Sequence, residues 1–143
     1  MTRVDFYVLP GDDAEGRARV ACRLAEKAFD RGHRVLIHTD SPGESAALDD
    51  LLWTFRAGSF VPHARQGADP DPRTPVLVGH GDEPDDHDDV LINLASTVPL
   101  FFSRFARVAE VIDQHGERLP AARERYRFYK DRGYELASHK LSG

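Results

Sequence analysis

One cysteine, Cys22, stands among 143 residues, so the chain has no internal disulfide framework, and no CxxC or Cys/His spacing builds a structural zinc site. A protein of the reducing cytoplasm is expected from that usage. Long hydrophobic runs are missing too. The opening MTRVDFYVLPGDD is apolar for only a few residues before Pro10 and a pair of aspartates, too short for a signal peptide or a membrane span. No membrane partner is therefore expected. Nor is there an excess of positive charge: 19 Lys and Arg face 24 Asp and Glu, a net charge of -5. That balance opposes broad attraction to nucleic-acid phosphates, so any basic site must be local.

Phosphate-binding and catalytic signatures are absent as well. The turn after the first apolar run reads LPGDDAEGR, with Gly11 and Gly16 spaced for neither GxGxxG nor GxxxxGK[ST]. Asp12, Asp13 and Glu15 would repel a phosphate there. The stretch GHGDEPDDHDDV, residues 79–90, holds two histidines and six carboxylates, yet it has no EF-hand order and no HxxxH pair. Charge runs of this kind are usually solvated loops. Cys22 shares a helical face with Ala18, Ala25 and Phe29, which suits a small buried hydrophobe better than a nucleophile, and no GxSxG elbow occurs. No catalytic residue, metal or cofactor is expected.

What remains is the pattern of one α/β domain. VDFYVL, Val4 to Leu9, and RVLIH, Arg34 to His38, read as strands; between them Val20, Leu24 and Ala28 recur at helical spacing up to Arg31-Gly32. A βαβ unit of this kind implies a parallel, right-handed crossover. Glu44 to Trp53 reads as a second helix, Phe60 to Pro62 as a short strand, and PVLVGH and VLINLA as two more strands. QGADPDPRTP, residues 66–75, carries three prolines and reads as a surface loop. PLFFSRF gives an aromatic turn of helix, RVAEVID a strand, and Pro120 opens a final helix reaching about Arg132. The expected fold class is a single three-layer α/β/α domain over residues 1–143, with a mainly parallel, Rossmann-like sheet and no nucleotide-binding loop.

Two stretches stand out from this frame. In RLPAARERYRFYKDR, residues 118–132, six cations meet two carboxylates, a local charge of +4 on an acidic protein. Arg123, Tyr126, Arg127 and Lys130 fall at i, i+3, i+4 and i+7 and share one helix face. That face is either a solvated surface or a docking site for phosphates or for an acidic peptide ending in a free carboxylate, since arginine forks bind both. The second stretch is LLWTFRAGSFVPHA, residues 51–64, with a tryptophan and two phenylalanines. A lone Trp in a domain of this size is usually well buried, so composition by itself favours core packing.

Taken together, WTFRAGSFVPH and RERYRFYKDRGY, with FYVL near the start and LINLA in the middle, resemble the chi subunit family of bacterial DNA polymerase III across nearly the whole chain. The resemblance implies a Rossmann-like domain without nucleotide site or enzymatic activity. It implies an adaptor that connects the clamp loader, through the psi subunit, to the acidic C-terminal tail of the single-stranded DNA-binding protein. Arg123, Tyr126 and Arg127 match the family's tail-binding positions, and helix geometry adds Lys130. The connection QHGERLP is shorter than in familiar members, where it supplies a further lysine; Arg118 is the expected substitute. Trp53 and Phe60, with Val61 and Pro62, match the contact surface for psi or a helicase partner. On that reading the aromatic residues are exposed anchors. The rivals are a nucleotide-binding α/β enzyme or sensor, and a direct binder of single-stranded nucleic acid through the Arg/Tyr helix; no sequence-specific nucleic-acid binding is expected.

Overall fold

A computed structural model describes residues 1–68, 71 and 73–142. Among them, seven strands form one sheet in the order β3-β4-β2-β5-β6-β1-β7: β1 Arg3–Val8, β2 Val35–His38, β3 His63–Arg65, β4 Val76–Gly79, β5 Val90–Asn93, β6 Arg107–Ile112 and β7 Glu135–Lys140. Every pairing is parallel. Helices α1 (Ala14–Asp30) and α2 (Pro42–Thr54) cover one face, while α3 (Leu119–Asp131) and a 3₁₀ turn at Phe102–Arg104 cover the other. This is the expected three-layer α/β/α fold.

Local chemistry sets the helix starts. Asp13 caps α1 by accepting from the Glu15 amide at 3.0 Å, and Ser41 caps α2 by accepting from the Glu44 amide at 3.2 Å, just ahead of Pro42 in the first turn. Gly32, at φ +84°, closes the end of α1 in a conformation that side chains with a Cβ resist.

Alternation along the buried strands divides the core. Val35 and Ile37 of β2 meet Ala21, Cys22 and Ala25 of α1 and Leu48 and Leu52 of α2. Leu36, between them, faces the opposite layer with Phe6, Phe102, Phe105 and Tyr129. The period of two in the strand and of 3.6 in the helix thus send neighbouring residues into separate cores.

Two elements depart from the sequence reading. The short strand expected at Phe60 to Pro62 is irregular chain, and the strand lies three residues on, at His63–Arg65. Proline has no N–H for a ladder, and Val61 turns into the core beside α2, so pairing begins only after Pro62. The last strand, β7, was not foreseen. Its sequence ELASHK pairs only with β1 at the sheet edge and is largely exposed, so it carries no apolar run. In the expected loop at 66–75, residues 69, 70 and 72 lie outside the described ones; the rest is turn and irregular chain up to Pro75. Among the described residues, no helix is long and apolar enough to cross a membrane.

Candidate functional site

Along α2, Leu48 and Leu52 face the core one turn apart, which rotates Trp53 by about 100° out of it. Trp53 is 56% exposed, and Phe60, across a short loop, is 66% exposed. Their ring centroids stand 6.0 Å apart. His63 backs Trp53 at 4.5 Å, with its ring nitrogens 2.6 Å and 3.0 Å from the carbonyl oxygens of Val61 and Asp49. The aromatic pair is a surface feature. Val61, grouped with it from sequence, is instead fully buried and belongs to the core, while Pro62 is half-buried. A direct contact by Val61 is therefore not available.

On the other face of the sheet, α3 turns Ala122, Arg125 and Tyr129 inward and leaves Arg123, Tyr126, Arg127 and Lys130 outward. The helix brings these four together. Tyr126 is 38% exposed, its ring edge-on to Phe6 at 5.2 Å, so it offers apolar area that is already fixed in place. Arg127 pairs with Glu124 at 2.9 Å, an exposed i, i+3 contact that is easily exchanged for another anion. Among the described residues, Arg123 and Lys130 make no ion pair. Arg118 does not join the stripe: it sits at the start of α3, where its Nη2 donates to Asp113 at 2.6 Å and to the Asp12 carbonyl at 3.2 Å. Burial pushes the Asp113 carboxyl up, but the Arg118 guanidinium outweighs it and holds the group below its ordinary range.

Sequence reasoning missed a buried polar network. Arg125, counted only as charge, is 5% exposed and donates through Nε to Glu110, a fully buried residue, at 2.8 Å. Glu110 also accepts from the Tyr129 hydroxyl at 2.7 Å and the Asn93 amide at 2.9 Å. Asn93 lies 3.3 Å from Nδ1 of His38, whose Nε2 accepts from the Gly81 amide at 3.0 Å. That acceptor role puts the ring proton on Nδ1, and burial lowers the His38 pKa, favouring the neutral ring. The signal was present in the sequence: a Glu in the middle of the apolar strand RVAEVI, and Ala122, Arg125 and Tyr129 at helical spacing. The network pins α3 in rotation, which is what turns the basic stripe outward.

A cleft of about 540 Å³ opens at the C-terminal ends of β5 and β6, walled by Leu48, Leu51, Leu94 and Val111. Open α/β sheets bind ligands at this place. Here Arg17 spans its floor, donating to the Val111 and Leu94 carbonyls at 2.9 Å each. Glu15, Asp40, Glu44, Asp113 and Glu117 line it against Arg17, Arg118 and Arg125, and the excess of carboxylates opposes a phosphate. In the acidic stretch, His87 is buried with Nε2 3.1 Å from the Thr74 carbonyl oxygen. Among the described residues, no group of three His, Cys, Asp or Glu side chains is placed to hold a metal ion.

A family model described as DNA polymerase III chi subunit, HolC, matches residues 1–137. The chain belongs to the DNA polymerase III chi subunit family. It is 45% identical over 141 residues to DNA polymerase III subunit chi of Pseudomonas aeruginosa, covering 99% of this chain and 98% of the relative. With subunit chi of Escherichia coli the identity is 30% over 141 residues, covering 95% and 96%. Membership associates this chi-family chain with DNA polymerase III and with DNA replication. Among solved structures, T4 UvsW superposes with a TM-score of 0.69 at 10% identity, covering 99% of this chain and 42% of that one. The second domain of the DEAD-box helicase Mss116p, bound to an RNA duplex, gives 0.57 at 12%, covering 96% and 65%. At such identities the likeness shows a shared fold and nothing of function.

Proposed function

We propose that this chi-family protein is a non-catalytic replisome adaptor of the cytoplasm. Its Trp53–Phe60 surface holds the psi subunit of the clamp loader, and its Arg123/Tyr126/Arg127/Lys130 stripe holds the acidic C-terminal tail of the single-stranded DNA-binding protein. The observation that carries this reading is the placement of the two surfaces on helices covering opposite faces of one sheet. Both can be occupied at once, which is what a bridge requires. Arginine forks meet the carboxylates of the tail, and the pre-placed Tyr126 ring gives an apolar terminal residue something to pack on.

The test is a titration with a fluorescent peptide carrying acidic residues and an apolar C-terminal residue. Arg127→Glu or Arg123→Glu should lower affinity more than tenfold, about 1.4 kcal/mol, because attraction becomes repulsion. Tyr126→Ala should lower it as well. Affinity should fall with salt, since screening acts over about 10 Å at 0.1 M, and psi-bound protein should bind the peptide as tightly as free protein. Unchanged binding in all three variants removes α3 from the site; equal affinity for a scrambled peptide leaves only non-specific charge attraction.

A further inference from the structure

The aromatic surface stands partly on a loop, and α1 holds that loop from one side. Arg19 and Glu26, about two turns apart, lie on the same side of α1. Arg19 Nη1 donates to the Phe55 carbonyl at 3.1 Å. Glu26 accepts from Arg56 through Nε at 3.2 Å and Nη2 at 2.6 Å, and from the Ser59 hydroxyl. Between these arms Gly58 turns the chain at φ +78°. The Phe55 carbonyl and the Arg56 and Ser59 side chains are thus all held from one helix, and Phe60 follows at once. Phe60 cannot hold itself: at 66% exposed, it has too little packing of its own to fix its ring beside Trp53.

We infer that Glu26 is a positioning residue for the partner-docking surface: by gripping Arg56 and Ser59 it sets Phe60 against Trp53, so that an apolar segment of the partner meets two rings already in place. The inference rests on the reading of Trp53 and Phe60 as a docking surface. Hydrogen bonds from Arg56 first, and then Ser59, also hold the Glu26 carboxyl below its ordinary pKa, so the grip is ionised at neutral pH. Holding anchors in their bound arrangement removes an ordering cost that binding would otherwise carry. Glu26 itself lies outside WTFRAGSFVPH, the stretch that marks the surface in the sequence, and it couples α1 to the affinity of the interface.

The experiment compares psi-subunit binding by the full chain, W53A, F60A, E26A and the double variant E26A/F60A, with circular dichroism confirming that each is folded. E26A should weaken psi binding by about threefold to tenfold in the wild-type background and leave it nearly unchanged in the F60A background, because the grip acts through Phe60. A second readout needs no partner. Trp53 is the only tryptophan, and E26A should raise the iodide quenching of its fluorescence while the urea midpoint moves little. If W53A and F60A weaken binding but E26A does not, the positioning role is wrong and the docking surface stands. Equal losses from E26A with and without Phe60 mean a general structural effect and overturn it too. If neither aromatic variant affects psi binding, the docking reading fails and this inference falls with it.

Discussion

Glu110→Ala isolates the energy of the buried network. It leaves the Arg125 guanidinium, 5% exposed, without a carboxylate, and it strips an acceptor from both the Tyr129 hydroxyl and the Asn93 amide. Breaking a buried pair on one side costs about 3–5 kcal/mol, because an uncompensated charge stays behind. The orphaned hydroxyl and amide push toward the top of that range, each by up to 1–3 kcal/mol if no water replaces the carboxylate. The Ser96 carbonyl, which keeps its 3.1 Å contact with Arg125, pulls the other way. We expect a loss of about 4 kcal/mol, a large share of the roughly 5–15 kcal/mol that holds a domain folded. At roughly 2–4 °C per kcal/mol the melting temperature should fall by about 10 °C. Urea titration followed by circular dichroism, paired with a thermal melt, measures it. A companion variant, Glu110→Leu with Arg125→Met, removes both charges and should be clearly more stable than Glu110→Ala, since apolar replacement of a whole buried pair is often neutral; what it still lacks relative to wild type is the acceptor for the Tyr129 hydroxyl and the Asn93 amide. A loss under about 1 kcal/mol for Glu110→Ala would refute the view that the pair is desolvated and mutually dependent. A double variant as unstable as the single one would show that the unpaired Arg125 charge is not the source of the loss.

Two further outcomes follow from shifted ionisations. Asp113 ionises more readily when folded than its ordinary value of 3.8, so the stability it contributes is fully present above about pH 4 and is lost as pH falls through the lower folded value. The stability gap between wild type and Asp113→Asn should therefore be flat from about pH 5 to 7 and shrink below pH 4; a gap that widens on acidification contradicts the Arg118 pairing. The Cys22 thiol, buried in the first core layer, is pushed up to about 12 by desolvation and should resist a disulfide reagent at about pH 8 until denaturant is added. Reaction of the folded protein at the unfolded rate would show Cys22 to be accessible.

The parts of the fold that could be read from sequence are those where burial is complete. RVLIH, PVLVGH and VLINLA lie in the sheet interior, so their apolar runs are unbroken and the strands follow. β7 sits at an edge with one partner, and an exposed edge strand has no need of an apolar pattern. The same physics separates the two charged groups of α3. Spacing puts Arg123, Tyr126, Arg127 and Lys130 on one face and Arg125 with Ala122 and Tyr129 on another, but the charge on Arg125 hides that it turns inward until it is matched to Glu110 on β6, 15 residues earlier. Trp53 shows the limit most clearly. Composition favours a core position, and only the pairing of Leu48 and Leu52 against the sheet leaves the indole outside. Glu26 carries no sequence signal at all, since its meaning depends on a loop that packs against α1 from another part of the chain.

The strand order bears on how the chain comes to be folded in the cell. Of the seven strands described, β1 leaves the ribosome before the others, and it ends up between β6 and β7, the last two of the seven to be made. Until those emerge, Val4 and Phe6 lack the neighbours that bury them, and both backbone edges of β1 are open to other pairings. The central strands β4, β2 and β5 can assemble with α1 and α2 much earlier, because their partners lie closer along the chain. Synthesis should therefore produce a half-built sheet that waits for its own beginning to be enclosed, and contacts of such long range make that last step the slow one. A nascent chain stalled before Glu135 would present β1 with one edge unpaired, a form suited to capture by a chaperone or to association with a second copy.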